Sequence, residues 1–117
     1  MALLWRKDMK KIPFTELSEE EIEMMRSKDE IFAAIDEFFD KVWYNRKHVM
    51  FENIEVGKES FHGPKQLEDI LQAMEKVEKK YGEDNLGPWD DFEWGMINGK
   101  LSALRWVLGD EWDMLDT

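Results

Sequence analysis

Apolar residues recur at steps of three, four and seven along most of this chain, which is the period of a helix with one face turned to a core. The clearest stripe is Leu67, Ile70, Leu71, Met74, Val77 and Tyr81. No segment alternates apolar and polar residues convincingly enough to predict a β-strand. The pattern therefore predicts an all-α fold, a small antiparallel helical bundle with one short N-terminal helix and three longer ones.

Serine capping signals delimit the first two helices. Ser18 and Ser27 each stand three residues before a glutamate, and in this pattern the two side chains satisfy exposed N–H groups at a helix start. They predict a short helix that ends near Arg26 and the beginning of a long one. The long helix is predicted over about residues 28–56, because Gly57 favours a stop there.

Proline and glycine delimit the other two helices. Pro64 suits the first position of a helix, and Gly82 suits the residue that ends one. A third helix is therefore predicted over residues 64–81. The fourth is predicted over about residues 88–108, where Gly109 closes it.

The fourth helix is apolar around most of its circumference, which is typical of a central helix. One side carries Trp89, Phe92, Met96, Ala103 and Val107, and another carries Ile97, Leu101, Leu104 and Leu108. Gly95 and Gly99 stack on one face, although each costs about 1 kcal/mol against alanine inside a helix. We therefore expect this helix to be innermost, with both glycines in close contact with another backbone. After it, Trp112, Met114 and Leu115 are expected to fold back in one turn.

Length and composition indicate one globular domain. The 117 residues can form a single core, so we expect one helical domain over residues 1–117. The hydrophobic fraction of 43% argues against disorder, and no apolar run is long enough to span a membrane. The absence of cysteine excludes disulfides and thiolate metal sites. Because the N-terminal apolar stretch precedes its basic residues, the reverse of a secretory signal, a cytoplasmic location is expected.

The net charge of −11 is unevenly distributed. Residues 1–14 carry +3, residues 57–82 are neutral, and residues 15–56 and 83–117 carry −7 each. Direct binding to nucleic acid needs a basic stripe and is not expected, and an anionic membrane is disfavoured for the same reason. The acidity favours solubility. It leaves open a cationic ligand, a basic protein partner, or mimicry of nucleic acid.

Four polar side chains form a strip on the fourth helix: Asp91, Asn98, Ser102 and Arg105. Their spacing of seven, four and three residues puts them on one face. In an enclosed strip, Arg105 would grip a carboxylate or phosphate of a small ligand through its planar fork. The alternatives are that Arg105 pairs with an acid of the chain, since buried charge must be paired, or that the strip faces solvent.

A second polar face, on the second helix, includes Asp40, Tyr44, His48 and Glu52. Tyr44 and His48 would form the other wall of a ligand pocket between the second and fourth helices. His48 and Glu52 are one turn apart, but Asn45 stands where the Glu-x-x-His pair of di-iron bundles needs glutamate. We therefore predict no metal and no cofactor. The alternative is the solvated side of an amphipathic helix.

Tryptophan and acidic residues are interspersed in the last 29 residues, WDDFEWGMINGKLSALRWVLGDEWDMLDT, which hold four of the six tryptophans. Aromatic faces beside carboxylates bind cations, including alkylated ammonium groups and lysine or arginine side chains. Trp94 and Trp112 are the candidates for an exposed ring of this kind. The alternative is that the tryptophans are core and the acids are the wet flanks of their helices.

The end of this segment, DFEWGMINGKLSALRWVLGDEWDMLDT, resembles the C-terminus of a group of small uncharacterised prokaryotic proteins. The resemblance covers about a quarter of the chain. It implies a microbial, intracellular origin, and it brings no activity, cofactor or partner with it.

The chain shows no nucleophile constellation, because it lacks Gly-x-Ser-x-Gly, a phosphate-cradling glycine loop and cysteine. The leading hypothesis is a non-enzymatic helical interaction protein that uses its Trp- and acid-rich C-terminal segment for self-association or a basic partner. The alternative is a small-ligand binder or enzyme with the pocket described above. A third hypothesis is a nucleic-acid mimic, which needs carboxylates spaced like phosphates along one surface.

Overall fold

The structure is a computed structural model that describes residues 17–112. These residues form helices and connecting turns and contain no strand, which confirms the all-α prediction. The elements in chain order are α1 (Glu19–Glu23), α2 (Lys28–Glu55), α3 (Pro64–Tyr81), a 3₁₀ turn (Glu83–Asn85) and α4 (Asp91–Val107). Met114 and Leu115, which were expected to fold back, lie outside the described residues.

The chain divides into two compact units, with the boundary between Ile31 and Phe32, and each is described on its own. In the first, the two predicted serine caps are confirmed. The backbone N–H of Glu21 donates to Ser18 Oγ over 3.1 Å. Ser27 and Glu30 cap reciprocally, each backbone N–H donating to the side chain of the other. The single domain over residues 1–117 stays a prediction.

In the second unit, α2 packs against α3. The buried residues between them, with the turn after α3, are Tyr44, Ile70, Met74, Val77 and Leu86. The hydroxyl of Tyr44 donates to Glu78 Oε2 over 2.8 Å, and that of Tyr81 donates to Asp40 Oδ2 over 2.9 Å. The earlier residue of α2, Asp40, pairs with the later residue of α3, Tyr81, and Tyr44 pairs with Glu78. The two helices are therefore antiparallel.

The same helix packs against α4 on its other side. Val42 forms a second buried cluster with Ile97 and Leu101, flanked by Ile35, Phe38, Trp89 and Trp94. Val42 and Tyr44 are two residues apart, which puts them about 200° apart around the helix. Lys100 lies over the ring of Phe38, with its Nζ 5.9 Å from the ring centroid. Helix α2 is therefore the middle element, with α3 and α4 on nearly opposite sides.

The expectation that the fourth helix is innermost is wrong. Its residues Phe92, Met96, Ala103 and Val107 are exposed rather than core, and Leu104 is half-buried. The physical reason is that α2, with 28 residues, has apolar residues on two opposite sides. Helices α3 and α4 each cover one of these sides, so α4 has a single neighbour within the described residues of this unit.

The expected close contact at Gly95 and Gly99 is also wrong. A Cβ atom built at either position would have nothing within 4 Å, leaving aside neighbouring residues and the helix's own backbone. Both glycines instead lie on the exposed side of α4. The space that they leave open is therefore not filled by the described residues.

Helix α4 begins later than its glycine and proline signals predicted. Asp90 is the cap: its carboxylate accepts from the Glu93 backbone N–H over 2.7 Å, and its own N–H donates to Glu93 Oε2 over 3.2 Å. This is the reciprocal capping that was recognised at the serines, here made by an aspartate. The residues before it form a turn in which Gly87 has a φ of 101°.

Candidate functional site

Helix α4 has an apolar face that no described residue of its own unit covers. We define the outward face of α4 as Phe92, Met96, Gly99, Ala103 and Trp106, all of which are exposed. Their spacing of four, three, four and three residues is that of the contact positions of a coiled coil. The opposite side of the helix holds Ile97 and Leu101, which are buried against α2. Helix α4 thus has two apolar faces and one partner among the described residues of the second unit.

A stacked pair of tryptophans extends the outward face at its C-terminal end. The rings of Trp106 and Trp112 lie 5.2 Å apart between centroids, at an interplanar angle of 10°. Both residues stay about half exposed. Trp94, the other ring considered for cation binding, is half-buried against the cluster of Val42, Ile97 and Leu101. Of the two candidates, only Trp112 therefore presents an open aromatic surface.

Two side chains of the polar strip of α4 make hydrogen bonds within the described part of the chain. Arg105 Nε donates to Asp110 Oδ2 over 2.9 Å, so its charge is paired within the chain. Asn98 Nδ2 donates to the backbone carbonyl of Trp94 over 2.8 Å. Ser102 is half-buried and Asp91 is exposed. Two of the four residues are thus engaged in local contacts with their own helix and the turn after it.

The structure brings Tyr44 and His48 together in a different site. Their rings meet edge to face, with 4.7 Å between centroids. Both line a concavity of about 520 Å³ on α2 and the turn after α3. Its other lining residues are Asn45, Val49, Glu52, Glu83, Leu86, Gly87, Pro88 and Trp89. Sequence reasoning missed the contribution of Glu83 and Trp89, because a turn sets their position and no helical period indicates it.

Tyr44 and Gly87 are both tightly constrained in this concavity, Tyr44 by a hydrogen bond and Gly87 by close neighbours. Burial, followed by the hydrogen bond to Glu78, raises the pKa of Tyr44 to about 12. A Cβ at Gly87 would lie 3.1 Å from Trp89 Nε1 and 3.2 Å from Asn45 Oδ1, so only glycine fits without a shift. The indole N–H of Trp89 is buried and has no acceptor among residues 17–112.

The two walls of the pocket expected between the second and fourth helices lie apart. None of Asp91, Asn98, Ser102 or Arg105 lines the concavity of Tyr44 and His48. Phe38, the partner of Lys100, is ten residues from His48, or about 15 Å along the helix. Trp89 lies beside the His48 end of α2 and Lys100 beside Phe38, so α4 runs antiparallel to α2 and Arg105 lies still further from His48.

In residues 17–112, no three histidine, aspartate or glutamate side chains converge as a metal site would require. No helix of the described residues is both long enough and apolar enough to cross a membrane. Comparisons with family models, curated protein sequences and solved structures gave no match for this chain. The fold itself therefore defines the class: an all-α helical protein whose last described helix keeps one apolar face open.

Proposed function

We propose that this protein is a helical interaction protein of the cytoplasm that self-associates through the outward face of α4. The observation that carries the proposal is the exposure of five consecutive coiled-coil positions on one side of this helix. Phe92, at one end, keeps 76% of its surface exposed. Contiguous apolar surface rimmed by polar residues marks interaction sites in soluble proteins.

The area of the face suits a weak, reversible dimer. The exposed parts of Phe92, Trp106 and Trp112 amount to about 350 Å², taking roughly 200 Å² for each aromatic side chain. Met96 of the face and Val107, which follows Trp106 in the helix and adjoins the face, are both about half exposed and raise this to about 500 Å². Two copies would then bury about 1,000 Å², close to the lower limit for specific interfaces. We expect a dissociation constant in the micromolar range.

A second copy is the occupant that the face itself favours. In an antiparallel pair centred on Gly99, Phe92 of each copy lies opposite Trp106 of the other, because these positions are equidistant from the centre. Each aromatic pair contributes about 0.5–1.5 kcal/mol beyond its area. Gly99 and Ala103 let the two backbones approach closely in the middle. None of the five residues is charged, so the acidic copies meet through a neutral surface.

Sedimentation equilibrium tests the proposal with a matched pair of variants. Met96 and Leu71 are 48% and 50% exposed, on α4 and α3 respectively. Over about 1–500 µM protein, Met96→Glu should weaken the dimer by at least about tenfold, because both copies place the new charge in the interface. Leu71→Glu adds the same charge away from it and should leave the constant unchanged.

Two results would overturn self-association. One is a chain that stays monomeric over the whole concentration range. The other is an equal effect of Met96→Glu and Leu71→Glu, which would mean that the added net charge, and not its position on the outward face, weakens the association. Added salt should strengthen the dimer or leave it unchanged, because it screens the repulsion between two copies of charge −11. A steep loss of the dimer with salt would contradict the apolar interface.

The concavity of Tyr44 and His48 favours a second candidate function, the binding of an organic cation. Its aromatic rings stand beside the carboxylates of Glu52 and Glu83, a combination that attracts ammonium and guanidinium groups. Calorimetric titration with trimethyl-lysine tests this candidate. Glu83→Gln should weaken binding and Glu59→Gln, outside the concavity, should not. Equal affinity of both variants would eliminate it.

A further inference from the structure

A groove between α2 and α3 forms a separate surface, away from α4. Two adjoining concavities of about 320 and 540 Å³ make it up, and they share Trp43 and Ala73. We define the lysine groove by its floor and edges: Phe39, Trp43, Ile70, Ala73 and Val77 below, with Lys47, Lys65, Lys76 and Lys80 along the sides. It lies on a different side of α2 from the residues that contact α4.

The floor of the groove offers an anchor point for an apolar side chain. Phe39 is 55% exposed, and Trp43 is only half-buried against α3. Ile70 and Val77 are already buried beneath them. An apolar group that enters beside Phe39 would displace water from surface that the chain itself leaves open.

The edges of the groove carry a charge opposite to that of the whole protein. Its lining includes four lysines and two aspartates, Asp40 and Asp69, in a chain of net charge −11. Both aspartates already interact with lysines of the groove, Asp69 with Lys65 and Asp40 with Lys80. Asp36 also acts electrostatically on Lys80, so four lysines stand against three aspartates and a small positive excess is local to this surface.

The remote acidic residues do not cancel this local charge at physiological salt. The Debye length there is about 8 Å, so exposed charges further away are largely screened. A ligand in the groove mainly experiences the small positive excess of the lysines over the aspartates beside them. Lys65 and Lys80 are 15 residues apart on α3, which is about 22 Å of helix.

We propose that the lysine groove binds an acidic amphipathic helix of a partner protein. The apolar side of that helix would insert a large side chain beside Phe39 and Trp43, and its carboxylates would face the lysines along the edges. A groove about 22 Å long accommodates about four helical turns. Apolar anchors on one side of a helix, set in a groove between two others, are an established mode of peptide recognition.

Fluorescence anisotropy with a designed peptide tests the proposal on the full chain. The probe is a labelled 16-residue helical peptide with tryptophan and leucine one turn apart on one side and glutamate on the other. A second peptide carries lysine in place of every glutamate. The glutamate peptide should bind, more weakly as salt is raised, and the lysine peptide should not bind at this groove.

Adjacent lysines on α3 provide matched variants. Lys80 lines the groove, whereas Lys79 pairs with Glu75 over 3.0 Å outside it. Lys80→Glu should weaken binding of the glutamate peptide by about 5- to 10-fold, a typical effect for a rim charge. Lys79→Glu changes the net charge equally and should have little effect.

A second pair tests the floor of the groove. Phe39→Ala should weaken binding of the peptide by about tenfold, because it removes the apolar contact. Leu71→Ala, at a half-exposed residue of α3 that does not line the groove, should leave binding unchanged. The proposal is overturned if the two charge reversals have equal effects, if both peptides bind equally, or if Phe39→Ala binds as tightly as the parent. None of these outcomes bears on the outward face of α4.

Discussion

Two substitutions on α4 distinguish the observed packing, in which one side of this helix is buried, from the innermost position that its apolar sequence predicts. Leu101 is 8% exposed and faces α2, whereas Phe92 is 76% exposed on the other side of the same helix. If α4 were innermost, truncating either side chain to alanine would be costly. In the observed fold, only Leu101→Ala should destabilise the protein strongly.

The magnitudes follow from burial. Leu101→Ala removes a packed side chain and leaves a cavity, at a cost of about 2–4 kcal/mol. Phe92 has lost only about a quarter of its exposure, roughly 50 Å² of an aromatic side chain, worth about 1 kcal/mol at 25 cal/mol per Å². Alanine's better helix propensity offsets about half of that. The net cost of Phe92→Ala should therefore be below about 1 kcal/mol.

Urea unfolding followed by far-UV circular dichroism measures both costs. Protein below about 1 µM keeps a micromolar dimer from contributing to the stability. With a slope of about 1.5 kcal/mol per M, the midpoint should fall by about 1.3–2.7 M for Leu101→Ala and by less than about 0.7 M for Phe92→Ala. If Leu101→Ala does not fold, Ile97→Val replaces it, at an expected cost of about 1 kcal/mol. Equal losses for the two sides of α4 would refute the packing.

Three further predictions address single interactions. Asp90→Ala should cost about 1 kcal/mol of unfolding free energy, because the carboxylate caps α4; a change within error would mean that the cap contributes nothing. Gly95→Ala should raise the unfolding free energy by up to about 1 kcal/mol, because nothing lies within 4 Å of a new Cβ outside its own helix and neighbouring residues; a loss of stability would show that the site is packed. The pKa of Tyr44 is raised to about 12 in the folded protein, above the value of about 10 in the unfolded chain. The contribution of Tyr44 to the unfolding free energy is therefore complete below about pH 10 and is lost as the pH rises to about 12. Tyr44→Phe should flatten that decline in melts across this range, and a decline as steep as that of the parent would contradict it.

The helix boundaries show what local sequence signals determine. Ser18 and Ser27 cap helices as their patterns predict, and Pro64 begins α3. The cap at Asp90 was not predicted, because Gly87 and Pro88 resemble the start of a helix, although they belong to the preceding turn. Capping depends on a few neighbouring groups, so the pattern of residues suffices to find it.

The candidate sites show what local sequence signals do not determine. Tyr44 and His48 share a helix face, and their one-turn spacing correctly indicates that they are neighbours. Trp89 and Glu83 join them only because the turn after α3 folds back onto α2. Arg105 and Asp110 pair across the end of α4, which removes the arginine from the ligand site that its spacing suggested.

The helical class and most helix ends can be predicted from the amino-acid pattern, because both arise from interactions between residues a few positions apart. Which helix is central emerges only from the packing of the helices on one another. Periodicity reports which sides of a helix are apolar, but it does not report how many neighbours cover them. Helix α2 has two covered sides, whereas α4 has one. The second apolar side of α4, an apparent sign of a core position in the sequence, is an open surface in the described structure.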